Sequence, residues 1–451
     1  MIASNLPKQT LPTLQAIIDE LKPCKELNLE SVTFVCVQHL LYTTIDLVKA
    51  LIILGAKPGN IHIMGKIYST CPEVVEQLEE IGVIYYHSSQ PQELGCFEEC
   101  FNDDIANMWG GVRAHLVSVK SNSIIVLDDG GKCIANIPKA LSDNHEICAI
   151  EQTSSGICRI KKNNILLSVV DVAFSATKQL IESTMIAKAV VVKLSQFLSL
   201  HNNKFTCGVV GLGVVGQAVV EKLLSLNHKV IVYDKLATKY DRVNEVDTVG
   251  SVQSLLEKAE YIFGCTGEDI TTSIDIDQLH GVKNLISCSS QDVEFKSLLT
   301  TIKNNTSKDI VNVLDHIEFP VKNGIIQIFR GGYPVNLDNS GESVPAQDIQ
   351  LTRGLLLGGI IQAVFQLIQK SKQDPKHYML HPKIQKFIVQ EFIKDQPAQS
   401  FDNSLAKNFL DEEWIKVSSG GEYVDNDLIT TYFTKEQYNC NSNEICVTQE
   451  L

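Results

Sequence analysis

A chain of 451 residues that is 44% apolar and 20% charged has ordinary globular composition, which excludes collagen-like, low-complexity and wholly disordered architectures. Its 39 basic and 53 acidic residues give a net charge of −14. Such a surface repels polyanions, so neither nucleic acid nor an acidic membrane is an expected partner.

The start, from Met1 to Gln9, lacks the basic patch, apolar run and cleavage site of a secretory signal. Residues 31–37 read as a β-branched strand, 40–54 as a helix closed by Gly55, and 60–64 as a second strand. An amphipathic helix over 72–81 and a short strand over 83–86 follow. This alternation marks a parallel α/β sheet. Residues 123–127 form a further strand that runs into the acidic turn Asp128-Asp129-Gly130-Gly131, and ligands of such sheets gather at the carboxyl ends of strands. One long helix is expected over about 176–200, then a second α/β run from 205 to 328. Its strands fall at 206–210, 229–233, 261–264, 284–287 and 309–314. Residues 351–372 are helical, and their most apolar part, 354–368, includes Gln362 and reads as too short and too polar to span a membrane. Beyond Phe401 the chain is polar, with little periodicity. Thirteen cysteines from Cys24 to Cys446 contain no CxxC pair, and Cys96/Cys100 and Cys440/Cys446 lack the histidine spacing of zinc sites. Reduced thiols, a cytoplasmic location and no metal are expected.

The strongest motif is strand 206–210 followed by Gly211-Leu-Gly213-Val214-Val215-Gly216 and a helix. The first glycine makes a tight turn, the second lets backbone approach a pyrophosphate, and the third permits close helix–strand packing. The helix N-terminus stabilises the anion. Asp234 closes the next strand, where an acid suits the ribose diol of NAD and disfavours NADP.

With these motifs in hand the chain resembles S-adenosylhomocysteine hydrolase, up to about residue 370. The resemblance runs through Val37-Gln38-His39, Thr43-Thr44, Ser69-Thr70, Asp128-Asp129-Gly130-Gly131 and Glu151-Gln152-Thr153-Ser154-Ser155-Gly156. It continues through the glycine turn, Thr266-Gly267, Asp292-Val293-Glu294 and Val335-Asn336-Leu337. It implies an α/β fold in which a Rossmann NAD-binding domain is inserted in a second α/β substrate-type domain, adenosylhomocysteinase-like. The implied segments are 1–170 for the first part of the substrate-type domain and 171–340 for the Rossmann domain with its entry hinge helix. A returning helical segment at 341–400 and a divergent tail at 401–451 complete the chain. NAD is the implied cofactor, held by Thr153, Ser154, Ser155, Gly211, Gly213, Val214, Val215, Gly216, Asp234, Thr266, Gly267 and Asn336. His39, Asp129 and Glu182 are the implied vestigial catalytic residues, and a homo-oligomer, dimer or tetramer, is expected.

The chemistry of that family is depleted here. Gln152 stands at a glutamate position, Leu180 at the catalytic lysine, and Glu182-Ser183 at an Asp-Asn pair. Ser289-Ser290 and Gly341-Glu342-Ser343 each lack a histidine, and Lys178 reads as a solvated surface lysine. His39 is either a ribose-binding group or a structural histidine, and the Asp128-Asp129 turn and Glu182 are open to equally plain readings. Three functions remain. The first is an eroded homologue that binds NAD and an adenosyl or S-adenosylhomocysteine-like ligand as a sensor or partner. The second is an active NAD-dependent enzyme of altered chemistry on a nucleoside-like substrate. The third is a genuine adenosylhomocysteinase of one-carbon metabolism, a thioether hydrolase using replacement residues.

Overall fold

The computed structural model describes residues 11–119, 121–197, 204–236, 243, 246–289, 291–305, 312–369, 376–396, 408–409 and 411–433. The readings placed on Met1–Gln9, Ser290, residues 309–311 and Cys440/Cys446 lie outside them.

Two seven-stranded sheets carry the chain. The first contains β1 (Val32–Leu40), β2 (Ile61–Thr70), β3 (Ile84–Tyr86), β4 (Ser123–Asp128), β5 (Glu146–Glu151) and β6 (Ser168–Asp171). The second contains β7 (Thr206–Val210), β8 (Lys229–Tyr233), β9 (Asp247–Thr248), β10 (Tyr261–Gly264), β11 (His280–Ser287), β12 (Ile317–Val321) and β13 (Asn323–Ile328). A late strand, β14 (His377–Met379), returns to the first sheet beside β6. The orders are β3-β2-β1-β4-β5-β6-β14 and β9-β8-β7-β10-β11-β13-β12. Among the described residues all pairings are parallel except β12 with β13. Strand order therefore reverses between β1 and β4 and again between β7 and β10, and a crevice opens at the carboxyl edge of each reversal.

Burial follows from the sequence. β1 is a run of apolar and β-branched residues covered on both faces, as parallel strands require. Helix Pro72–Ile81 stops at Gly82, whose φ of +94° accommodates the left-handed cap. Helix Ala346–Ile368 is buried all round from Gln350 to Phe365. Its Gly358 and Gly359 let Ile384 and Ile150 approach more closely than a Cβ would allow. At 23 residues it is long and apolar enough to cross a membrane, which 354–368 alone is not, but 83% of its most apolar stretch is buried inside the protein. It is the spine of the first lobe.

Several expectations are corrected. β2 continues to Thr70 rather than ending at Met64, and its pairing with β1 jumps from Gln38/Gly65 to Leu40/Thr70. Residues 66–69 bulge out of the ladder between those pairs, the device by which a strand re-aims side chains beside a site. A 22-residue helix, Phe97–Ser118, fills the stretch before β4, with Phe97, Phe101, Ile105, Met108, Trp109, Val112 and Leu116 on one face. The long helix after β6 opens with a π-helical turn at Lys178–Glu182 before Ser183–Phe197. Residues 312–314 are not strand; the edge is formed instead by β12. The region after Phe401 is not wholly irregular, since helices Glu412–Ser419 and Asp427–Tyr432 seat Phe409, Ile415, Ile429 and Phe433 in the core.

Leu356 is fully buried on the spine helix, so Leu356→Ala is expected to cost about 2–5 kcal/mol, read as a lower denaturant midpoint for the first lobe.

Candidate functional site

The crevice of the second sheet is built by its glycines. Gly211 turns with φ +94°, and a Cβ there would lie 2.8 Å from Thr266 Cγ2. A Cβ on Gly216 would fall 1.9 Å from the Gly211 carbonyl, so only glycine lets the helix Val214–Ser225 seat against β7. A Cβ on Gly213 would meet nothing within 4 Å. That open space lies at the helix N-cap, where a pyrophosphate approaches backbone N–H groups. Asp234 accepts hydrogen bonds from the backbone N–H of Leu212 (2.7 Å) and Leu236 (2.8 Å). Gly211, Gly213, Asp234 and Thr266 line one cleft of about 500 Å³. Behind the Thr266 wall of this cleft Glu294, fully buried, accepts from the backbone N–H of Thr266 and Gly267, both at 2.6 Å. Burial pushes this carboxyl up to about 7 against those hydrogen bonds.

The crevice of the first sheet holds a buried charge cluster. The bulge of β2 delivers Lys66 Nζ onto Asp129 Oδ1, and Gln152 Nε2 donates to Oδ2. His39 Nε2 stands 3.3 Å from the same Oδ2, while its Nδ1 meets Ser69 Oγ at 2.5 Å. Burial alone would raise the Asp129 carboxyl, but Lys66 and His39 outweigh it and hold it well below the usual range. Burial likewise opposes the charge on Lys66, and Asp129 wins, raising the ammonium above its ordinary value. For His39 burial prevails over Asp129, so the imidazole is neutral at pH 7. Asp128 and Glu151 sit side by side in register. Burial, then Asp128, drives Glu151 well above the carboxylate range, and burial brings Asp128 to about 6. Arg353, from the spine helix, reaches the same edge and donates to Thr43 Oγ1 (3.2 Å) and Thr44 Oγ1 (2.9 Å).

The two sheets meet at their carboxyl edges. Arg330 Nη2 donates to the Tyr68 carbonyl at 3.2 Å, the Phe97 N–H lies 3.4 Å from Asp292 Oδ2, and the Tyr68 and Tyr333 rings are 4.9 Å apart. Gln291, from the second lobe, lies 3.7 Å from where a Gly130 Cβ would be, and Lys66 Nζ lies 3.9 Å from it. Gln291 holds φ +94°, a costly value for a residue with a side chain and of the kind that clusters at functional sites.

The structure brings His39 and Asp129 together and gathers the glycine turn, with Val214 and Val215 on its first helical turn, beside Asp234, Thr266 and Gly267. Thr153, Ser154 and Ser155 lie instead on the first sheet after β5. Thr153 caps the helix Ser154–Lys162 by accepting from the Gly156 N–H, and both serines are exposed. Asn336 is buried just past Pro334, which bridges to Ser287 at the end of β11. Glu182 is buried, accepting from Thr352 Oγ1 at 2.8 Å and pairing with Lys178, whose side chain is 15% exposed and not a solvated surface group. Sequence reasoning missed Lys66, Arg353 and Gln291. Only Lys66 had a signal, a lone cation between the apolar Ile61–Met64 and Ile67-Tyr68.

Residues 170–282 match the family model for the D-isomer specific 2-hydroxyacid dehydrogenase, NAD binding domain. This stretch is an NAD-binding domain. Two Mycobacterium tuberculosis proteins, uncharacterized protein MT0113 (strain CDC 1551 / Oshkosh) and uncharacterized protein Rv0104 (strain H37Rv), are each 27% identical over 420 residues, covering 92% of this chain and 79% of theirs. Among solved structures, a 2-hydroxyacid dehydrogenase from Ketogulonicigenium vulgare Y25 aligns at 11% identity and TM-score 0.36, over 70% of this chain and 97% of that one. The NAD complexed D-isomer specific 2-hydroxyacid dehydrogenase from Lactobacillus delbrueckii ssp. bulgaricus aligns at 12% and 0.33, over 76% and 100%.

The family match overturns the adenosylhomocysteinase resemblance, and with it the hydrolase and one-carbon readings. The reason is physical. The glycine turn, Asp234 and Thr266-Gly267 serve any dinucleotide on a Rossmann sheet, whereas the residues peculiar to the hydrolysis are those this chain lacks. Neither an adenosyl ligand nor an eroded sensor role gains support from these findings.

Gly213→Ala should leave thermal stability nearly unchanged while weakening NAD binding by at least about tenfold, and Gly216→Ala should destabilise the domain itself; calorimetry of both variants checks this. Because the phosphates of bound NAD favour a protonated Glu294, NAD affinity should fall as pH rises through about 7. Glu294→Gln should flatten that dependence in titrations between about pH 6 and about pH 8.

Proposed function

We propose that this protein is an NAD-dependent oxidoreductase acting on a hydroxyl group of a small anionic substrate, with 2-hydroxy acids the first class to test. The observation that carries the reading is that the two lobes meet at their carboxyl edges, where Gln291, just past β11, reaches Gly130 beside Lys66 and so joins the lobe with the glycine turn to the Lys66–Asp129–His39 cluster. The family match over 170–282 supports it.

Bound NAD supplies the hydride acceptor. Gly213 and the N-terminus of helix Val214–Ser225 would hold its pyrophosphate, and Asp234, at the end of β8, would face its ribose. His39 is the most exposed of the three cluster residues and is neutral at pH 7; with Nε2 turned to Asp129, its Nδ1 takes the substrate hydroxyl proton by way of the Ser69 hydroxyl it meets. Asp129 stays ionised and stabilises the imidazolium that results. Lys66 keeps its charge beside the developing oxyanion. Arg353, held by two hydroxyls, retains donors that match a carboxylate in bidentate fashion. Free thiols throughout the described cysteines accord with a reducing, cytoplasmic setting.

The test follows reduced-nicotinamide absorbance with a panel of 2-hydroxy acids and polyols. A turning-over substrate is expected, with kcat lowered about 10²–10⁴-fold by His39→Asn. Arg353→Gln should raise KM for the acid substrates selectively, since it removes the carboxylate partner. A silent panel with NAD fully bound overturns the reading.

A further inference from the structure

Outside the charge cluster, the proposed chemistry does not use Cys265 and Cys288, two of the three described thiols of the second lobe. β10 and β11 run in parallel register to Gly264/Ser287, and the Cys288 N–H continues the ladder by donating to the Gly264 carbonyl at 2.9 Å. Cys265 and Cys288 are therefore the next register pair, on one face of the sheet. Neighbouring strands lie about 4.8 Å apart, within the Cα separation of about 4.4–6.8 Å that a disulfide spans. Both cysteines are partly exposed. Cys265 lines the NAD cleft, and its Cβ is 3.4 Å from where a Gly216 Cβ would be, under the helix that receives the pyrophosphate.

We propose that Cys265 and Cys288 are a redox-modifiable dithiol in the floor of the NAD cleft, converted by a small-molecule disulfide into a cross-strand disulfide that weakens NAD binding. A thiolate of the pair attacks one sulfur of the small disulfide, breaking its S–S bond and releasing one small thiol. The second cysteine sulfur then attacks the mixed disulfide, forming the Cys265–Cys288 bond and expelling the second small thiol. Two cysteine protons end on two small thiols; the pair is oxidised by two electrons and the reagent reduced by two. The hydrogen bond to Cys288, then burial, pushes the Cys265 thiol well up. Drawing the Cβ atoms to about 3.8 Å pulls Cys265 off Gly216 and drags the Thr266-Gly267 turn with it.

The inference rests on NAD binding and not on the substrate reading, so it is tested without turnover. Reduced full-length protein is incubated with oxidised glutathione, digested and analysed by mass spectrometry, and NAD affinity is titrated before and after. The expected result is a linked peptide pair two hydrogens lighter, NAD binding weakened by about tenfold, and recovery with dithiothreitol. Phenylarsine oxide should bridge the same two residues, and bound NAD should slow both reactions. Cys265→Ser and Cys288→Ser should each abolish the cross-link, and circular dichroism confirms that at least one is folded. Separate glutathionylation of the two residues without a bridge, or a bridge that leaves NAD affinity unchanged, overturns the proposal.

Discussion

A fully buried ammonium against a nearly buried carboxylate, Lys66 on Asp129, sets the terms for everything around it. Taking both charges out of water is expensive, and their attraction offsets that cost only with further hydrogen bonds, here from His39 and Gln152. Removing one partner from such a pair typically costs about 3–5 kcal/mol, because the other charge is stranded. The pair also orders the protons nearby. Lys66 holds Asp129 ionised, whereas burial, then Asp128, keeps the proton on nearby Glu151, so two acids of one cluster differ in charge through position alone.

The two lobes use one topology for opposite purposes. In the second, glycines empty the crevice at the strand reversal so that backbone meets a ligand. In the first, a bulge fills the equivalent crevice with charged side chains. The two lobes join where Tyr68, Tyr333, Phe97 and Asp292 fasten one carboxyl edge to the other. Asp292, raised by burial to about 6, adds a titrating group to that seam.

Much of the second lobe was legible because its strands are short apolar runs closed by glycine or an acid. β7, β8 and β10 fall where the pattern places them. The first lobe was legible in element type but not in its chemistry. The apolar alternation of β2 stops at Met64, and nothing in the polar Gly65-Lys66 that follows announces that the strand continues through a bulge. The motif resemblance misled for a related reason: glycines and a terminal aspartate report dinucleotide geometry and say nothing about the reaction performed on it. Helices Glu412–Ser419 and Asp427–Tyr432 are too short for periodicity to show, and they are held by Phe409, Ile415 and Ile429 packing on distant residues.

The spine helix Ala346–Ile368 enters the first lobe only after the whole second lobe has been threaded in between. As the chain leaves a ribosome, β1 to β6 emerge without the element that covers β4, β5 and β6. The second sheet has all its neighbours in one contiguous stretch and can close at once, since domains fold as units and local contacts form fastest. The first lobe is thereby the last to complete, and in the interval its apolar strands are the surface for a chaperone to shield.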